Sequence, residues 1–148
     1  MLSGQPGART PFPLATQEAR REIVVAMNRE PSDVLARDPL PLRDRVVVVT
    51  GVSRRAGIGY ATACRLAAFG ASVFCHHFAP HDDQQPWGGD RINEVMDGVR
   101  SHLVGQARVA EMHSDLTSAD APANLISTAV REFGRVDALI CNQALSGS

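Results

Sequence analysis

The stretch Thr50-Gly51-Val52-Ser53-Arg54-Arg55-Ala56-Gly57-Ile58-Gly59 follows directly on a run of four valines. Its residue types suit one task, which is to hold a phosphate-bearing ligand against the start of a helix. A dinucleotide pyrophosphate needs backbone to approach closely, so side chains must be absent at defined points. It also gains from the unpaired N–H groups and positive dipole end of a helix. Gly51 lets the chain turn out of a strand. Gly57 and Gly59 let the loop pass the phosphates and the helix pack on the sheet. Ser53 and Ile58 stand among these glycines as further candidate contacts, and Arg54 and Arg55 add two guanidinium groups suited to a phosphate. A glycine triplet alone is a weak signal. Here it follows a buried strand and precedes a helix, which is the context such a motif requires.

Other reactive groups are few. All 15 basic residues are arginine, so no lysine ammonium, Schiff base or lysine general acid is available. The single tyrosine, Tyr60, lies beside the glycine loop. Cys64, Cys75 and Cys141 are odd in number and widely spaced, without a CxxC, which suggests neither a disulfide framework nor a zinc knuckle. All three fall in apolar stretches, where cysteine usually acts as a small core residue. His76, His77 and His81 form a small cluster. Alternation along a strand sends His76 and His77 to opposite faces, and no metal site is expected.

A net charge of −1 with 21% charged residues excludes a polycation built for nucleic acid or an anionic membrane. No apolar run approaches the ~18 residues of a membrane span. The N-terminus shows no continuous apolar signal region. A reducing, cytoplasmic setting is therefore expected.

The elements that must position the loop follow from periodicity. Residues 45–50 read as a strand buried on both faces. Residues 57–69 read as a helix stopped by Gly70. Residues 72–77 form a second strand, followed by a loop over 78–89 that is expected to make a surface flap bearing Trp87. A helix over 90–103 has Asp90 as its expected N-cap and Ile92, Val95, Met96, Val99 and Leu103 on one face. Residues 107–113 give a third strand. The next helix is expected to be capped by Ser118, with Leu125, Ile126, Ala129, Val130 and Phe133 inward and Gly134 closing it. Residues 136–141 give a fourth strand. Alternating strands and helices imply an α/β fold, a partial doubly wound parallel sheet of Rossmann type with strand order 3-2-1-4. The fourth strand would then present an apolar edge.

Residues 1–43 differ. They hold six of the nine prolines and two of the twelve glycines. They are expected to form a flexible extension with a possible helix over 16–30, bearing Ile23, Val24 and Met27. Residues 44–148 are expected to form the N-terminal part of a dinucleotide-binding domain.

The sequence over residues 44 to about 146 resembles the short-chain dehydrogenase/reductase family. That family's nucleotide loop reads TGxxxGxG; this chain has TGVSRRAGIG, two residues longer, followed by the alanine-rich YATACRLAAFGA. The remainder is more similar to the 3-oxoacyl-acyl-carrier-protein reductase type. Asp115-Leu116 resembles the family's pair that holds the adenine ring, although Asp115 also suits the start of a turn. Asp137-Ala138-Leu139-Ile140-Cys141-Asn142-Gln143-Ala144 resembles DxLVNNAG, and Asn142 falls on the asparagine near the nicotinamide-side ribose. Cys141 and Gln143 depart from that pattern.

The resemblance implies a nicotinamide dinucleotide as partner. An acidic residue at the end of the second strand would accept from the ribose 2′-OH and repel a 2′-phosphate. Counting from Gly70-Ala71, that position falls on His77, and no acid occurs before Asp82. With Arg54 and Arg55 in the loop, NADP is expected ahead of NAD.

The family's catalytic serine and Tyr-x-x-x-Lys pair are absent. Tyr60 has Cys64 where that spacing requires lysine. The resemblance therefore implies a hydride-transferring NAD(P)-dependent oxidoreductase of which this chain keeps the cofactor half-site, expected to be truncated and inactive alone. The alternatives are a non-catalytic nucleotide-binding fragment, or one chain of a split enzyme completed by a partner chain. Homo-oligomers are also possible.

Overall fold

A computed structural model describes residues 16–17, 37–83 and 85–143. The expected helix over 16–30 lies outside these residues apart from Thr16 and Gln17. The larger compact unit begins at Asp38, ahead of the expected boundary at residue 44. Its first residues are tied in where Leu42 N–H donates to Phe69 O at 3.0 Å. The Leu42 side chain packs against the core.

The elements run β1 (Val46–Val49), α1 (Ile58–Ala68), β2 (Ser72–His77), α2 (Ala79–Asp83), α3 (Ile92–Arg100), β3 (Val109–His113), α4 (Ala121–Phe133) and β4 (Ala138–Ile140). All strand pairs are parallel, and the sheet order is β3-β2-β1-β4. The expected strand order and Rossmann-like fold class hold.

Strand alternation divides the core into two clusters. Val47, Val49, Val73 and Cys75 pack with Ala63, Cys64 and Ala67 of α1 and with Val95, Met96 and Val99 of α3. Val48 and Phe74 pack instead with Leu125 and Ala129 of α4. The Phe74 and Phe133 rings meet edge to face at 6.3 Å. Four valines suit β1 because it has neighbours on both sides in the sheet and helices over both faces. Small residues on α1 let that helix come close to the strands.

Several local expectations are corrected. Asp90 does not cap α3; the N-cap is Arg91, and Asp90 instead accepts from the Arg55 N–H at 2.6 Å. Ser118 does not cap α4; the N-cap is Asp120, with no side-chain cap, and proline in the first turn starts the helix. Val130 is exposed, because the inward stripe of α4 is narrower than the apolar residues on it. Cys141 is exposed just beyond β4 rather than buried. The loop over 78–89 contains the short helix α2. Leu139 is 48% exposed on the outer strand, as the edge position implies.

Candidate functional site

β1 ends at Val49, and beyond Thr50 the chain turns out of the sheet at Gly51, whose φ of +73° favours glycine. The loop then passes to Gly57, the N-cap of α1. No side chain caps this helix and no acidic residue stands in its first turn. Its leading N–H groups and dipole are thus left for an anion. Gly59 lies deeper. A Cβ there would stand 2.7 Å from Asn142 Nδ2 and closer still to Gly51 O.

The loop opens onto a cavity of about 830 Å³. That lies within the ~300–1,000 Å³ typical of small-molecule and cofactor sites. Gly51, Ser53, Arg54, Gly57, Ile58, Asp115, Leu116 and Asn142 line it. Eight of the ten candidate residues, drawn from three separate parts of the chain, are therefore brought together. Gly59 acts behind the wall, by its close packing. Arg55 is not at the wall: its guanidinium pairs with Asp90 at 3.6 Å and Glu94 at 3.2 Å.

A hydrogen-bonded junction holds the floor. Asn142 N–H donates to Thr50 Oγ1 at 2.9 Å, and Asn142 Nδ2 donates to Gly51 O at 3.2 Å. The departing residue Gln143 has its side-chain carbonyl against the buried Thr50 hydroxyl. Asp137 fixes the other end of β4: Oδ2 accepts from Val46 N–H at 2.8 Å, and Arg45 and Arg135 pair with Oδ1. The Val46 N–H, followed by the arginines, holds the Asp137 carboxyl below the usual carboxylate range. Asp115 Oδ1 accepts from the Thr117 N–H and hydroxyl at 2.9 and 2.8 Å, which lowers its pKa. Asp115 thus shapes the turn and lines the cavity at once.

The end of β2 departs from the expectation. His77 is not at the cavity wall; its ring is buried against Glu111 Oε2 at 2.5 Å. His76 and Phe78 line the cavity instead. His76 Nε2 meets Ser114 O at 2.8 Å, and burial pushes its pKa down, so the ring is neutral near pH 7. No cluster of three metal-ligating side chains occurs among the described residues.

Sequence reasoning also missed Asp82. The short helix α2 brings it back to the cavity wall, where its carboxylate accepts from the Ser53 hydroxyl and pairs with Arg54 Nε at 3.4 Å. The Arg54 guanidinium lies over the Trp87 ring, 5.2 Å from its centroid, and Trp87 lines the cavity too. Tyr60 does not line it. Its hydroxyl bonds to Cys64, which raises the phenol pKa, and its ring presses on Gly98 of α3.

The parallel sheet of order β3-β2-β1-β4, with the glycine turn and open helix end following β1, defines a Rossmann-like α/β protein. The short chain dehydrogenase family profile matches residues 45–148, and the chain belongs to this family. It is 39% identical over 108 residues to a cyclohexanol dehydrogenase from Rhodococcus sp. (strain TK6), covering 71% of this chain and 38% of that protein. It is 34% identical over 106 residues to the hydroxynaphthalene reductase arp2 of Aspergillus fumigatus, covering 72% and 34%. Among solved structures, a short chain dehydrogenase from Mycobacterium smegmatis superposes with a TM-score of 0.59 at 32% identity, covering 74% and 40%. A short-chain dehydrogenase/reductase from Serratia marcescens superposes with a TM-score of 0.57 at 31% identity, covering 71% and 38%. The chain thus spans well under half the length of these relatives. Among the described residues no helix is long and apolar enough to cross a membrane.

Proposed function

We propose that this chain carries the cofactor side of an NAD(P)-dependent oxidoreductase that moves a hydride between a nicotinamide dinucleotide and a carbonyl or secondary alcohol. The observation that carries this reading is the glycine cradle. Gly51 turns the loop, Gly59 admits only close backbone packing, and α1 begins without a cap at the wall of the cavity. The nicotinamide ring, when bound, accepts or donates the hydride.

The chain's own residues bind and orient. Gly57, Ile58 and the first turn of α1 take the pyrophosphate, with Ser53 beside them. Asp115 and Leu116 take the adenine. Asn142, held by Thr50 and Gly51, takes the nicotinamide-side ribose. Arg55 steadies the loop through Asp90 and Glu94. Arg54 at the cavity wall supports NADP(H) over NAD(H), because a guanidinium matches a phosphate in geometry and charge.

The relatives' names put ring-borne hydroxyl and carbonyl groups first among substrates to try. The resemblance of the chain outside its longer nucleotide loop to 3-oxoacyl-acyl-carrier-protein reductases puts 3-oxoacyl thioesters second. Calorimetric titration with NADP(H) and NAD(H) tests the binding side. Saturable binding at one site, tighter for NADP(H) and weakened by Arg54→Gln, is expected. Tighter binding of NAD(H), or no effect of Arg54→Gln, would remove the NADP assignment.

A further inference from the structure

Asp82 sits on the donor pair that the loop would offer to a ligand phosphate. Its carboxylate takes the Ser53 hydroxyl and the Arg54 guanidinium together. Both donors line the cavity, and so does Asp82 itself. The Asp82 side chain is 13% exposed and the Arg54 side chain 27%, so the pair is shielded from the screening that weakens surface pairs. The Arg54 guanidinium also lies over the Trp87 ring. A hydroxyl, a guanidinium fork and a carboxylate between them form an occupied anion site.

We infer that Asp82 is a specificity-determining residue, a carboxylate placeholder that a ribose 2′-phosphate must displace from Ser53 and Arg54. The inference rests on the dinucleotide reading of the cavity and deepens it. A phosphate carries more charge than a carboxylate and offers three acceptor oxygens, so it can replace Asp82 on Arg54. A ribose hydroxyl cannot, because it brings no charge. Displacement moves Asp82 away on α2, a five-residue helix in the segment between β2 and α3. Preference between the two dinucleotides is therefore set by competition between two anions for one arginine. The acid that acts at this position comes from α2, not from the end of β2.

The test is titration of the full chain with NADP+ and NAD+, following the fluorescence of Trp87, its one tryptophan. Asp82→Asn keeps the size of the side chain and removes the competing charge. It is expected to raise the ratio of NADP+ to NAD+ affinity about tenfold, the scale of one charge-assisted pair. Asp82→Ala is expected to move the ratio the same way, which covers the case where the new amide finds another partner. The gain must vanish in the Arg54→Gln background, because the competition is for that guanidinium. An unchanged ratio in both variants, or a gain that persists without Arg54, overturns this inference and leaves the dinucleotide site standing. Wild-type protein that binds neither dinucleotide overturns the reading of the cavity, and this inference with it.

Discussion

A Cβ on Gly59 would stand 2.7 Å from Asn142 Nδ2, so the first turn of α1 and the end of β4 meet where only a hydrogen fits. The same Asn142 amide donates to Gly51 O. One contact thereby couples the glycine turn, the helix start and the far strand. Gly59→Ala cannot be absorbed by a flexible side chain, because the nearest obstacle is backbone. Overpacking of this kind costs about 1–3 kcal/mol. The variant is expected to unfold at lower urea and, where the same strain falls on the bound cradle, to lose roughly fivefold to a hundredfold in dinucleotide affinity, since each 1.4 kcal/mol is a factor of ten. Unchanged affinity would show that the cradle geometry is not what binds.

Asp137 gives the fold a defined acid sensitivity. The Val46 N–H and the two arginines hold its folded pKa below the usual value. Its contribution is therefore fully present above the unfolded value of about 3.9 and is lost as pH falls through the folded value. Urea midpoints measured from about pH 7 down to about pH 3 should fall at the acid end. Asp137→Asn should lower the neutral plateau and flatten that acid limb. An identical pH slope in the variant would contradict the assignment.

The three cysteines should separate by reactivity. Burial pushes the Cys75 thiol up to about 12 and raises Cys64 as well. Cys141 is exposed. A thiol reagent at neutral pH should label Cys141 in the folded protein, and Cys64 and Cys75 only after denaturant is added. Loss of the fast phase in Cys141→Ser checks the assignment. Fast labelling of Cys75 would mean that the core between β2 and α1 opens readily.

The proton-transfer partner of hydride chemistry should be missing from these 148 residues. They contain no lysine, and Tyr60 is turned to Cys64 and Gly98 rather than to the cavity. With NADPH and a panel of cyclic ketones and 3-oxoacyl thioesters, no turnover above background is expected from this stretch by itself. Turnover abolished by Tyr60→Phe would contradict the role given to that residue.

Much of this was legible in the sequence because it is local. The valine run, the Gly-rich turn and the apolar spacing of Val95, Met96 and Val99 each carry their own physics, and the strand order follows from the alternation of elements. What was not legible depends on distant partners. Asp90 reads as a cap until Arg55 is seen to claim its carboxylate with a backbone N–H. Alternation correctly divides His76 from His77, but it cannot say which of the two faces a cavity whose walls come from other strands. Asp82 lies several residues beyond β2, and only the turn of α2 returns it to Ser53 and Arg54. Thr50 looks like one more strand residue until Asn142 and Gln143 close on its hydroxyl.

The most direct test of the central claim is amide NMR of isotopically labelled protein titrated with NADP+. The account predicts saturable shift changes at Gly51, Ser53, Gly57, Ile58, Leu116 and Asn142, with the amides of α4 away from the cavity unmoved. Shift changes that avoid the glycine turn, or none at cofactor concentrations up to about 1 mM, a binding free energy of only about −4 kcal/mol, would contradict it.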